Sequence, residues 1–127
     1  LAAIIASAIP KSVKFDGHPA KRCFQAIRIE VNGELDVIEP TLRTGCGLLK
    51  SGGRMTVLTF HSLEDRIVKN VFRELENPCK CPKDLPCVCG KMPVARVLTR
   101  KPSVPSEQEL AENSRSKSAK LRIIEKL

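Results

Sequence analysis

No tryptophan and no tyrosine occur in this 127-residue chain, and phenylalanine appears only four times. A protein that grips single-stranded nucleic acid by stacking bases on aromatic rings would lack its usual tools here. Long apolar runs are missing too, and none is extended enough to span a membrane. The opening Leu1-Ala2-Ala3-Ile4-Ile5-Ala6-Ser7-Ala8-Ile9 has the composition of a signal-peptide core, but no basic stretch precedes it and the chain does not begin with Met. It reads as the end of a helix cut from a longer protein. The seven glycines include no G-x-G-x-x-G. Gly45-Cys46-Gly47 lacks both the third glycine and the preceding strand that a phosphate-cradling turn requires.

What is present is one domain's worth of chain with a basic excess. A net charge of +8 favours a polyanionic partner, with a plain solvated surface as the alternative. The charge is uneven: residues 91–127 hold nine Lys/Arg against four Asp/Glu. The chain divides into stretches. Residues 1–17 read as a helix end followed by a basic linker punctuated by Pro and Gly. In residues 18–50, Phe24, Ile27, Val31, Leu35, Ile38 and Leu42 step by three and four, which predicts a helical stripe that Gly33 and Pro40 split or kink. His18-Pro19 suits a helix start, with Pro at the first position. Residues 51–77 read as strand then helix, and 78–106 as an irregular segment rich in Cys, Pro and Lys. Ser106 and Glu109 form a capping box for a further helix. In Ala119-Lys120-Leu121-Arg122-Ile123 the alternation predicts a strand with Ala119, Leu121 and Ile123 on one face. Lys120 and Arg122 then fall on the other face, either as its solvated surface or as phosphate contacts. The order of elements is α/β.

The richest chemistry lies in Phe60-His61-Ser62-Leu63-Glu64-Asp65-Arg66. Upstream, Met55-Thr56-Val57-Leu58-Thr59-Phe60 follows a Gly52-Gly53 turn and reads as a strand. Downstream, Ile67, Val68, Val71, Phe72 and Leu75 mark one helical face. Polar groups between the two sit at the carboxyl end of a strand, where open α/β sheets bind ligands. Ser62 and Asp65 fit a capping box, which leaves His61, Glu64 and Arg66 without a structural duty.

Four of the six cysteines form Cys79-Lys80-Cys81 and Cys87-Val88-Cys89. In extended chain, residues i and i+2 point the same way, so each pair can offer two thiolates to one tetrahedral metal such as zinc. Free thiols in a solvated loop are the alternative, and the lack of a secretory signal argues for a reducing compartment over disulfides. Cys23 and Cys46 sit in apolar patterns and read as small core residues.

Several blocks, in order, resemble one family. They are His18-Pro19-Ala20-Lys21-Arg22-Cys23-Phe24-Gln25-Ala26-Ile27-Arg28-Ile29, Val31-Asn32 with Glu34-Leu35, and Gly52-Gly53-Arg54 leading to Phe60 through Lys69. Leu98-Thr99-Arg100-Lys101-Pro102, Pro105-Ser106-Glu107 and Asn113 through Arg122 follow. Together they resemble the S-adenosylmethionine-dependent methyltransferases that place an N4-methyl group on a cytosine of small-subunit ribosomal RNA in bacteria. Lys21 and Cys23 stand where that family more often has Thr, and Ser114 where it more often has Pro.

The resemblance implies the C-terminal part of a Rossmann-like class I methyltransferase sheet plus the end of an inserted helical domain. It places the helical insert at residues 1–30 and the catalytic domain at 31–127, with a Cys-rich loop at 78–94. The catalytic part would comprise a helix, a parallel strand at 54–60, its helix, and a closing pair of strands near 95–101 and 119–125. The main S-adenosylmethionine site would lie N-terminal to this chain, leaving the chain alone inactive. It further implies a cytoplasmic enzyme acting on ribosomal RNA of the small subunit, with no membrane partner. His61, Glu64 and Asp65 become the catalytic candidates. Arg22, Arg66, Arg115, Lys117, Lys120 and Arg122 become RNA contacts, and Cys79, Cys81, Cys87 and Cys89 remain the metal candidates. A non-enzymatic RNA-binding module organised by a four-cysteine zinc site is the rival expectation.

Overall fold

A computed structural model describes residues 1–10, 17–82, 84 and 86–127. Lys11 to Asp16, most of the expected basic linker, lie outside the described residues, as do Lys83 and Leu85 of the Cys-rich loop. The chain forms two compact units, Leu1–Asp36 and Val37–Leu127.

The first unit holds α1 (Ala2–Ala8) and α2 (Lys21–Asn32). Pro19 precedes α2 in a turn that His18 closes: the Ala20 amide donates to His18 Nδ1 at 3.2 Å. Gly33 ends α2 with φ of 60°, a left-handed conformation that glycine adopts without a Cβ clash. Its amide donates to the Glu30 carbonyl and that of Glu34 to the Ile29 carbonyl, the paired bonds of a Schellman stop. The apolar stripe therefore runs over two helices and not one. Pro40 breaks nothing, because it falls in the first turn of α3, where its missing N–H is not needed. Cys23, expected in a core, is exposed.

The second unit comprises α3 (Ile38–Leu48), β1 (Arg54–Thr59), α4 (Ser62–Glu76), β2 (Ala95–Val97), α5 (Glu107–Glu112), a 3₁₀ turn (Ser114–Ser118) and β3 (Lys120–Lys126). The sheet order is β1-β3-β2, and β3 is antiparallel to both neighbours. The strand at 54–59 thus has no parallel neighbour among the described residues. β1 and β2 nonetheless run the same way, joined through α4, with β3 returning between them. The strand expected over 95–101 is shorter: beyond Val97 the chain holds to β3 only through Leu98, Thr99 and the Ser103–Leu121 bridge.

Leu42 and Cys46 of α3, Val68, Val71, Phe72 and Leu75 of α4, Ala95 and Ile124 form the core. Phe72, Val68 and Ile124 are essentially inaccessible. Each such side chain contributes about 1.5–3 kcal/mol by burial.

The face of β3 is reversed from expectation. Register pairs Met55 with Ile124 and Val57 with Arg122, so Arg122 and Ile124 lie with the core and Leu121 and Ile123 turn to the opposite face. Lys120 and Arg122 therefore do not line a solvated face. An alternating strand carries no mark of which side is buried, and a cation on the buried side is affordable only with an anion waiting there.

Candidate active site at the carboxyl end of the first strand

Helix α4 begins one residue earlier than Ser62 suggests. His61, in extended conformation, is the N-cap: the Glu64 amide donates to His61 Nδ1 at 3.5 Å. Glu64 Oε2 in turn accepts from the amides of His61 (3.2 Å) and Phe60 (2.9 Å). The capping box is thus His61–Glu64, not Ser62–Asp65. Serine is the better cap by intrinsic preference, yet the β1 exit places Ser62 already inside the helix.

This shift frees Asp65, which is 8% exposed. Its carboxylate accepts from Arg122 Nε at 2.6 Å and Arg122 Nη2 at 3.1 Å, and Lys120 Nζ lies 3.5 Å away. The Arg122 fork, with Lys120 behind it, holds the Asp65 carboxyl below its usual range against the opposing effect of burial. Arg122 is only 5% exposed, and its guanidinium is committed to Asp65. It is the buried half of an ion pair, and the exposed phosphate contact expected from its charge is not what its surroundings provide.

His61 Nε2 is buried without a hydrogen-bond partner among the described residues. It lies 3.2 Å from Glu64 Oε1, but without the alignment of a hydrogen bond. At the carboxyl end of β1 the His61 ring is thus held by the cap at Nδ1, with Nε2 buried beside the Glu64 carboxylate.

The antiparallel register brings a second group to the same end. Thr59 pairs with Lys120, so the start of β3 and the turn before it lie beside the exit of β1. Arg115 and Lys117, on that turn, are exposed, and Arg66 is exposed on α4. The turn is fixed from within: Ser116 is buried, with its Oγ donating to the Asn113 carbonyl. Arg22 is exposed on α2 in the other unit.

Sequence reading missed a cavity of about 460 Å³ lined by Lys69, Arg73, Phe72, Thr99, Arg100 and Arg122, among others. Three of its cations come from α4 and from the segment after β2. The one available signal was the four-residue spacing of Lys69 and Arg73 on one helical face.

The four loop cysteines converge. Cys87 Sγ lies 3.4 Å from Cys79, 3.5 Å from Cys89 and 3.9 Å from Cys81. All four sulfurs fall within 4.8 Å of one another. Crowding divides their acidities. Although the Cys81 amide lowers it, the thiols of Cys87, Cys89 and Cys81 push Cys79 up to about 12. The Cys89 amide, followed by the Cys79 and Cys89 thiols, holds Cys87 below its ordinary value.

The chain is 59% identical, over all of its own length, to a protein of Carboxydothermus hydrogenoformans named ribosomal RNA small subunit methyltransferase H. It spans 41% of that relative's length. Residues 1–127 match the family described as MraW methylase from end to end, and the chain belongs to that family.

Proposed function

We propose that this chain is the C-terminal part of an S-adenosylmethionine-dependent enzyme that methylates N4 of a cytosine in small-subunit ribosomal RNA, in the cytoplasm. The observation that carries the reading is the carboxyl end of β1. There the helix-capping His61 and its Glu64 partner stand at the strand end to which the register also brings the 3₁₀ turn and the start of β3, with their cations. Family membership and the name of the relative support the chemistry.

Bound S-adenosylmethionine supplies the methyl group. The reading places its main site N-terminal to this chain, in keeping with Gly45 and Gly47 lying within α3 and a β1-to-α4 turn, Phe60-His61, without glycine. What this chain's residues contribute is recognition and alignment. The exocyclic amine of cytosine is a poor nucleophile because its lone pair is delocalised into the ring, so catalysis depends on holding it in line. The base must first leave its stack and enter a pocket.

His61 stands at this strand end, capping α4 through Nδ1. Its role is to position the base or its phosphate. Glu64 holds the ring by locking the cap, and Asp65 acts at one remove by tying β3 to α4 through Arg122. Arg66, Arg115 and Lys117, with Lys120 partly engaged by Asp65 and Arg22 on α2, neutralise phosphates and give salt-sensitive affinity.

His61→Ser tests this because serine retains the N-cap while removing the imidazole. In the full-length protein, His61→Ser is expected to keep its stability and lose methyl transfer to RNA. Unchanged turnover and unchanged RNA affinity would show that His61 is only a cap. Failure of the full-length wild type to produce N4-methylcytidine in small-subunit RNA would overturn the reading as a whole. RNA affinity that disappears on chelation, in a protein with no transfer activity, would instead establish the zinc-organised module.

A further inference from the structure

We propose that Cys79, Cys81, Cys87 and Cys89 hold one zinc ion in a tetrahedral four-thiolate site that closes the loop between α4 and β2. This site is separate from the methyl-transfer reading, and either can fail without the other. The geometry is that of a mononuclear centre. A tetrahedron with Zn–S bonds of about 2.3 Å has S···S edges of about 3.8 Å. The measured separations of 3.4, 3.5 and 3.9 Å straddle that value, and no pair exceeds 4.8 Å. A cluster with two or more irons divides its thiolates among the metals and spreads them farther apart. Disulfides require sulfurs at about 2.05 Å, well inside every separation here.

The backbone around the sulfurs suits thiolates. Each C-x-C delivers two thiols to the same cluster. Gly90 follows with φ of 62°, turning the chain sharply away from the last ligand. Four thiolates around one divalent ion leave a doubly negative centre, and Lys80 and Lys91 flank it in sequence.

The loop also needs an organiser. Residues 77–94 contain no helix or strand among the described positions, which is long for a connection within a compact unit. Its apolar side chains do not anchor it: Val88 is 89% and Met92 75% exposed. Its two ends return to the same place, since the Asn77 amide donates to the Arg73 carbonyl and the Val94 amide to the Leu75 carbonyl. A metal cross-link between residues 79 and 89 supplies the order that burial does not.

The test is elemental analysis of the full-length protein, purified untagged and without added metal. One zinc per chain is expected, and cobalt substitution should give the thiolate charge-transfer and tetrahedral ligand-field bands of a four-sulfur site. Cys81→Ser/Cys89→Ser should reduce the zinc content to near zero, while Cys23→Ser retains it. Should the double variant fail to fold, wild-type protein titrated with an organomercurial should release its zinc in step with four thiols. A metal-free protein with four freely reactive thiols, two disulfides by mass, or an iron–sulfur absorption spectrum would each overturn the proposal.

Discussion

Removing either partner of the Asp65–Arg122 pair tests how α4 is fastened to β3. The pair is a bidentate fork inside the protein, with side chains 11% and 6% exposed. Arg122→Met leaves the Asp65 carboxylate buried, though Lys120 at 3.5 Å remains as a partial partner. Asp65→Leu leaves the guanidinium with no anion. Orphaning a buried charge costs about 3–5 kcal/mol, so Arg122→Met should fall near the low end and Asp65→Leu near the high end. The double variant replaces the pair with apolar side chains and should lie within about 1 kcal/mol of wild type. Hydrogen exchange at the β3 amides of the full-length protein reads this directly. Each single change should speed exchange by roughly two to four powers of ten, and the double change should restore protection. Additive single effects, or single effects below about 1 kcal/mol, would refute the coupling.

The pair also fixes an acid dependence. The folded Asp65 pKa is lowered, so its contribution is fully present above the unfolded value of about 3.9 and is lost as pH falls through the folded one. Glu74, held low by Arg43 and Lys80, and Glu125, held low by Arg54 and Arg96, act in the same direction. Stability measured against pH should therefore decline below about pH 4, and less steeply in Asp65→Asn.

Three further outcomes are expected. Phe72→Ala, emptying the largest fully buried side chain, should cost about 3–5 kcal/mol by urea titration. Arg115→Ala and Lys117→Ala should weaken RNA binding across sequences and each lower the salt slope of log K by about 0.7–0.9, whereas unchanged slopes would place both cations off the RNA. In calorimetry, this chain should show no tight binding of S-adenosylmethionine while the full-length protein binds it; binding by neither would sink the methyltransferase reading.

Much of the skeleton was legible. The stripe Val68, Val71, Phe72 and Leu75 announced α4 and its buried face, since a helical period of 3.6 admits one apolar side only. Gly52-Gly53 announced the turn into β1: Gly53 has the Lys50 carbonyl 2.8 Å from where a Cβ would stand. Ser106 caps α5 as its spacing predicts, its Oγ accepting from the Glu109 amide.

Other features depended on groups distant in sequence. Which residue caps α4 turned on one residue of register at the exit of β1: Ser62, expected as the cap, falls inside the helix and His61 takes its place. The buried face of β3 turned on Asp65, 57 positions away, which makes an arginine acceptable in the interior. Composition, local period and ordered motifs are properties of the chain itself, and they determined the elements, the basic character and the family. Partnership between remote charges is a property of the folded state, because a side chain's desolvation cost is decided by what faces it. Only the tertiary structure could therefore decide that His61 caps α4, that Arg122 is buried against Asp65, and that four sulfurs meet within one metal's reach.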